Sequence, residues 1–128
     1  MTEPLTLAEV LAAARARLER VTPADLQAEV DAGALLIDVR DTSQRQRDGD
    51  LPGAHPIDLT ILEWRLAPSS ETKAFDVRDG QRVILVCNQG FSSSLAAARL
   101  QDLGVAGATD LEGGFTAWKS WAESKTRS

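Results

Sequence analysis

Apolar positions along the chain change period several times, and each change marks an element. Leu5, Val10, Leu11, Ala14 and Leu18 recur at helical spacing. With Thr6 and Glu9 placed as a capping box, they predict a leading helix over residues 6–20 that ends near Val21. Thr22-Pro23 reads as the N-cap and first residue of a short helix through Ala32, stopped by Gly33. ALLIDV (34–39) is a continuous apolar run too short for a helix of its own. It suits a strand buried on both faces, as in a parallel sheet. The polar stretch 40–50 predicts a short exposed helix or loop. Leu51-Pro52-Gly53-Ala54 turns the chain into a brief strand, AHPID (54–58), and LTILEWRL (59–66) predicts a helix that Pro68-Ser69-Ser70 ends. Asp79-Gly80 signals a turn ahead of the strand RVILVC (82–87). SSLAAARLQDLG (93–104) predicts a helix with small residues on one side and Gly104 as its C-cap. ATDLEG (108–113) supplies a last strand, and Gly114 through Trp121 a final helix.

Strands and helices alternate, so the class is α/β with a mostly parallel central sheet and right-handed crossovers. In such sheets the site lies beyond the carboxyl ends of the strands, and Cys87 sits at one of those ends. The chain shows no internal repeat, linker or low-complexity segment, and only residues 1–4 and 123–128 are expected to fray.

Composition narrows the picture further. A chain of 128 residues, 43% hydrophobic and 26% charged, fits one domain around one core. No apolar run approaches the roughly 20 residues that span a bilayer, and the first residues lack the pattern of a signal peptide. One cysteine cannot build a disulfide framework, and no Cys/His cluster offers a zinc site. The expected setting is therefore cytoplasmic, with no metal and no membrane partner. A net charge of −5 argues against nucleic acid. Arg15, Arg17 and Arg20 cluster, but they alternate with Glu9 and Glu19 and read as a solvated helix face.

The candidate chemistry lies in VILVCNQGFSSS (83–94). Gly90 permits backbone angles closed to other residues, and the serines suit the start of a helix. A strand–loop–helix of this kind can curl its amide hydrogens inward as an anion-binding nest. A thiol at the mouth of that nest feels several donors and the positive end of a helix, which lowers its pKa and makes it a nucleophile. The plain alternative is a cysteine serving as a small core hydrophobe. Because the strand ends at Cys87 and a Gly/Ser loop follows, the chemical reading is preferred.

LLIDVRD (35–41), GDLPGA (49–54), VILVCNQGFSSSLAAARLQDLG (83–104) and LEGGFTAW (111–118) resemble the single-domain rhodanese-like sulfurtransferase family in order and spacing. The resemblance covers about residues 22–122, leaving 1–21 as an N-terminal helical extension and 123–128 as a frayed end. It implies a three-layer fold, with helices on both sides of the sheet. It also implies that Cys87 takes a sulfane sulfur from a donor as a persulfide and hands it to a thiophilic acceptor, without a cofactor. Donors would be thiosulfate, a persulfide or a polysulfide, and acceptors cyanide, a thiol or a sulfur-accepting protein. The backbone of Asn88, Gln89, Gly90, Phe91, Ser92 and Ser93 would cradle the terminal sulfur. Asp38 and Arg40 would brace the site, and Gly113-Gly114 would allow close packing at the last turn.

Two departures bear on specificity. Asp50 stands where the family often has a histidine, and the loop 88–94 carries no charge. A dianionic donor such as thiosulfate would then need Arg45 or Arg47 from outside the loop. His55, the one histidine, reads as structural or surface. A cysteine phosphatase would need Cys-x5-Arg, and Ser93 occupies the arginine position. The remaining alternative is a non-catalytic binding or regulatory module. The leading helix is expected to cap its own domain.

Overall fold

The continuous apolar runs become the centre of the sheet. In the computed structural model, which describes residues 3–126, β1 (Leu35–Asp38) and β3 (Val83–Val86) pair in parallel, Leu36 opposite Ile84 and Ile37 opposite Leu85. The short β2 (His55–Pro56) flanks β1, and β4 (Ala108–Asp110) flanks β3. All pairings are parallel, in the order β2-β1-β3-β4. Side chains alternate across the pleat. Ile37, Val83 and Leu85 join one core cluster with Leu62, Leu66, Ala97 and Leu100, while Leu36, Ile84 and Val86 join another with Leu26 and Phe115. Helices therefore cover both faces, α4 (Leu62–Leu66) and α5 (Ser92–Asp102) on one side, α2 (Pro23–Asp31) and α6 (Gly114–Thr126) on the other.

Local signals explain most boundaries. The leading helix α1 (Leu7–Arg15) starts at the expected capping box, with Glu9 N–H donating to Thr6 Oγ1 at 3.1 Å and Thr6 N–H to Glu9 Oε1 at 3.0 Å. Thr22 caps α2, with Pro23 in its first turn. The polar stretch after β1 is a helix, α3 (Thr42–Asp48), because Asp41 and Gln44 form a second capping box. The segment read as 59–66 begins as a 3-10 turn, Leu59–Ile61, before α4.

Two helix ends differ from expectation. The leading helix stops at Arg15 rather than near residue 20, because Val21 must be extended to bridge Leu111 beside β4: Val21 N–H donates to the Asp110 carbonyl at 3.0 Å, and Glu112 N–H to the Val21 carbonyl at 2.8 Å. Of its expected apolar face, Ala14 is buried and Leu18 packs against the core, but Leu5 and Val10 are exposed. At the other end α6 runs past Trp121 through Thr126. Residues 1, 2, 127 and 128, part of the expected frayed ends, lie outside the described residues. Among the described residues no helix is long and apolar enough to cross a membrane.

Candidate active site

The pleat of β3 aims Cys87. Val83 and Leu85 face α5, so the next odd position also faces α5, at the carboxyl end of the strand. There Sγ accepts the Gly90 N–H at 3.1 Å and the Ser93 N–H at 3.4 Å, and it lies 3.2 Å from Ser93 Oγ. The first turn of α5 adds the positive end of its dipole. Burial pushes the Cys87 thiol up; the Ser93 hydroxyl and N–H, the Ser92 hydroxyl and the Gly90 N–H pull it down, and the net direction is below the ordinary thiol value. Sequence reasoning expected an exposed mouth. Cys87 is instead 7% exposed and shares the core cluster, so it forms the floor of the site.

The Gly90 and Ser93 amides meet the sulfur while three carbonyls of the segment are held by neighbouring elements. Phe115 N–H donates to the Cys87 carbonyl at 2.9 Å, and Thr116 N–H to the Asn88 carbonyl at 3.0 Å. The Gly90 carbonyl accepts from Arg15 Nη2 at 2.7 Å and Arg20 Nη2 at 3.2 Å. Gly90 itself has φ +83°, and a Cβ there would lie 2.9 Å from the Gly113 nitrogen. The Gly113-Gly114 turn thus packs directly on the loop, the close approach expected from the sequence.

Above Cys87 opens a cavity of about 400 Å³ lined by Val39, Arg40, Asp41, Gln44, Asp58, Leu59, Cys87, Asn88, Gln89, Phe91 and Ser92. Of the expected cradle, Asn88, Gln89, Phe91 and Ser92 line this space, and Gly90 and Ser93 bond the sulfur. Phe91, 57% exposed, forms part of the rim. Arg45 does not line it: its guanidinium donates to the Arg40 carbonyl at 2.6 Å and to Thr42 Oγ1 at 3.3 Å. Arg47 pairs with Asp48 at 2.9 Å, and His55 is exposed, with its ring edge-on to Phe75. Two carboxylates, Asp41 and Asp58, thus line the cavity, and the arginine that lines it, Arg40, is paired with Asp38. Hydrogen bonds from the Thr60 N–H and hydroxyl hold Asp58 below the usual carboxylate range.

Asp38 and Arg40 form a buried pair, Nη2 to Oδ2 at 2.7 Å with Nε also on the carboxylate. Arg40 also donates to the Gly49 carbonyl, and its guanidinium carbon stands 3.8 Å from the centre of the Phe115 ring. The pair ties β1 to α6 at the site. Sequence reasoning missed Asp110, Arg15 and Arg20. Asp110, fully buried at the end of β4, accepts from the Ser93 and Ser94 hydroxyls at 2.7 Å each and from Arg20 Nε at 2.8 Å. Arg17, by contrast, makes the exposed pair expected of a solvated face, with Asp102 at 2.6 Å. A carboxylate closing a short strand beside the apolar Leu111 was the available signal; the arginine contacts span 70 to 90 residues and leave none.

A parallel sheet with this cysteine loop at a strand end narrows the choice of family. The family model described as the rhodanese-like domain matches residues 22–120. The chain belongs to the rhodanese-like family. Its curated relatives include the adenylyltransferase and sulfurtransferase MOCS3-2 of Zea mays, 33% identical over 101 residues, which are 77% of this chain but 20% of that protein. The chain thus spans about a fifth of the length of the maize relatives it matches. The thiosulfate sulfurtransferase GlpE of Pseudoalteromonas translucida is 33% identical over 86 residues, 67% of this chain and 73% of that one. Among solved structures, a Rhodopseudomonas palustris protein of unknown function, described as a possible tyrosine phosphatase, superposes with TM-score 0.81 at 29% identity and 95% coverage of each chain. A rhodanese homologue from Thermus thermophilus gives 0.58 at 30% identity, covering 77% of this chain and 99% of that one.

Proposed function

We propose that the protein is a sulfurtransferase that carries a sulfane sulfur as a persulfide on Cys87. The observation that supports this most is the set of N–H groups from Gly90 and Ser93 converging on Sγ at the floor of an open cavity. Such donors favour the thiolate, and they remain to stabilise charge on an added sulfur. The thiolate attacks the outer sulfur of a persulfide, RSSH; a Cys–S–SH forms, the donor S–S bond breaks and RS⁻ leaves. With thiosulfate the same attack gives Cys–S–S⁻ and releases sulfite, SO3²⁻. A second thiol or cyanide then takes the sulfur and returns the thiolate. No general base is needed, which agrees with His55 standing away from the cavity.

The cavity favours a persulfide or polysulfide donor over thiosulfate. Asp41 and Asp58 line it, Arg40 is already matched by Asp38, and Arg45 is turned to a backbone carbonyl. A thiol-bearing small molecule or a protein is the proposed acceptor, in a reducing, cytoplasmic setting. Phosphoryl transfer lacks support: Ser93 holds the position of the phosphate-binding arginine, and Arg15 and Arg20 reach the loop at its outward Gly90 carbonyl. The test is cyanide-dependent thiocyanate formation by wild type and Cys87→Ser, with glutathione persulfide as donor. Turnover should disappear in the variant while its circular dichroism stays that of wild type; wild-type turnover in the variant would refute the proposal.

A further inference from the structure

The leading segment reaches the outer side of the cysteine loop. Arg15, at the last residue of α1, donates through Nη2 to the Gly90 carbonyl at 2.7 Å and through Nε to Ser94 Oγ at 3.1 Å, and its guanidinium carbon stands 5.6 Å from the centre of the Phe91 ring. Arg20 is locked beside β4 by the neighbouring Val21–Leu111 bridge. Its side chain, 16% exposed, spans the Asp110 carboxylate and the same Gly90 carbonyl. Thus two guanidinium groups from outside the matched domain, residues 22–120, converge on one peptide of the cysteine loop.

We propose that Arg15 and Arg20 are positioning residues for the Cys87 loop, holding the Gly90–Phe91 peptide with its carbonyl turned out while Arg20 matches the charge of Asp110 beneath it. The peptide is planar and trans, so fixing the Gly90 carbonyl outward fixes the Phe91 N–H to the opposite side. Gly90 N–H and Ser93 N–H, the two amides that bond Sγ, flank this peptide, so its orientation sets the turn that brings both to the sulfur.

The second half of the device concerns protons. In the thiol form Sγ–H donates to Ser93 Oγ, and the Ser93 proton goes to Asp110 Oδ2. Once the thiolate forms, the Ser93 hydroxyl has one proton to share between two anions. Asp110 can release it because Ser94 and Arg20 still bond the carboxylate. Without Arg20, a buried carboxylate one hydroxyl away would compete for that proton and repel the thiolate. The other charged groups around Cys87 are Arg15 from α1, the Arg40–Asp38 pair from the end of β1, and Asp41 and Asp58 at the cavity wall.

The catalytic meaning of this clamp rests on the persulfide reading, but its effect on the thiol does not. The experiment therefore follows alkylation of Cys87 by iodoacetamide across pH in the full chain, beside kcat and KM for sulfur transfer. Arg15→Gln and Arg20→Gln should each raise the alkylation midpoint and lower kcat about tenfold, the scale of one charge-assisted hydrogen bond, with a smaller change in KM. Arg20→Lys should recover much of the midpoint. Adding Asp110→Asn to Arg20→Gln should recover it too, since the competing anion is gone. Arg17→Gln, on the same segment but paired with Asp102 at the surface, should match wild type. If Arg20→Gln fails to fold, Arg15→Gln carries the test, because it strands no buried carboxylate. Unchanged midpoint and kcat in folded Arg15→Gln and Arg20→Gln, or an equal shift in Arg17→Gln, would overturn the clamp. A wild type without sulfur transfer whose midpoint still rises in the two variants would overturn the persulfide reading and support the clamp.

Discussion

Gly114→Ala measures how tightly the last turn presses on the cysteine loop. An alanine Cβ at 114 would stand 2.5 Å from the Cys87 carbonyl oxygen, 2.7 Å from the Gly90 nitrogen and 2.8 Å from the Asn88 carbonyl carbon. The first of these falls 0.9 Å short of ordinary contact at 3.4 Å, and every atom met is backbone, so the loop or α6 must move. The residue also has φ +63°, a left-handed conformation that costs an L-residue about 1–2 kcal/mol. Overpacking adds about 1–3 kcal/mol, for a total of about 2–5 kcal/mol. Gly80→Ala isolates the two contributions, because Gly80 has φ +75° but a Cβ there meets nothing within 4 Å. It should cost only the backbone part, about 1–2 kcal/mol. At roughly 4 °C per kcal/mol for this length, thermal melts should fall by roughly 8–20 °C for Gly114→Ala and 4–8 °C for Gly80→Ala. Cys87 alkylation should slow only in Gly114→Ala, where displacement of Gly90 N–H weakens its bond to the sulfur. Equal melting shifts, or wild-type alkylation in Gly114→Ala, would refute the close approach as the reason for glycine.

Ser93→Ala removes the hydroxyl 3.2 Å from Sγ; since the thiol lies below its ordinary pKa partly through that group, the alkylation midpoint should move up in pH, and a midpoint that stays put or falls would contradict the assignment. Arg40→Met leaves Asp38 buried with no counter-charge and should cost about 3–5 kcal/mol in urea unfolding, most of it recovered by adding Asp38→Asn; additive losses in the double variant would contradict the pairing. Thiosulfate should be a poorer donor than glutathione persulfide by roughly one to two powers of ten in kcat/KM, the scale of a missing arginine contact. Asp58→Asn should narrow that gap and Arg45→Ala and Arg47→Ala should leave it, whereas thiosulfate turnover that collapses in either arginine variant would place the substrate charge elsewhere.

The sheet was legible because burial on both faces writes itself into β1 and β3 as uninterrupted apolar runs, and the position of Cys87 follows from where the second run ends. The inward turn of the loop was legible for a similar reason, since a glycine and serines between a strand end and a helix suit a turn whose Gly90 and Ser93 amides meet the sulfur. Burial of Cys87 was not, because loop composition says nothing of how far α5 and α6 close over the strand end. The direction of Arg45 was settled by the capping box that turns residues 42–48 into a helix and brings its guanidinium back to the Arg40 carbonyl. Arg15 and Arg20 looked like a solvated face because local spacing carries no record of partners so far along the chain.

The most direct test of the account is intact-mass spectrometry of the protein after incubation with glutathione persulfide and removal of excess donor. Wild type should gain the mass of one sulfur atom, lose it on addition of cyanide with release of thiocyanate, and show the modification on the peptide containing Cys87. Cys87→Ser should gain nothing. A wild type that stays at its original mass, or a Cys87→Ser variant that gains the same sulfur, would contradict a persulfide carried on Cys87.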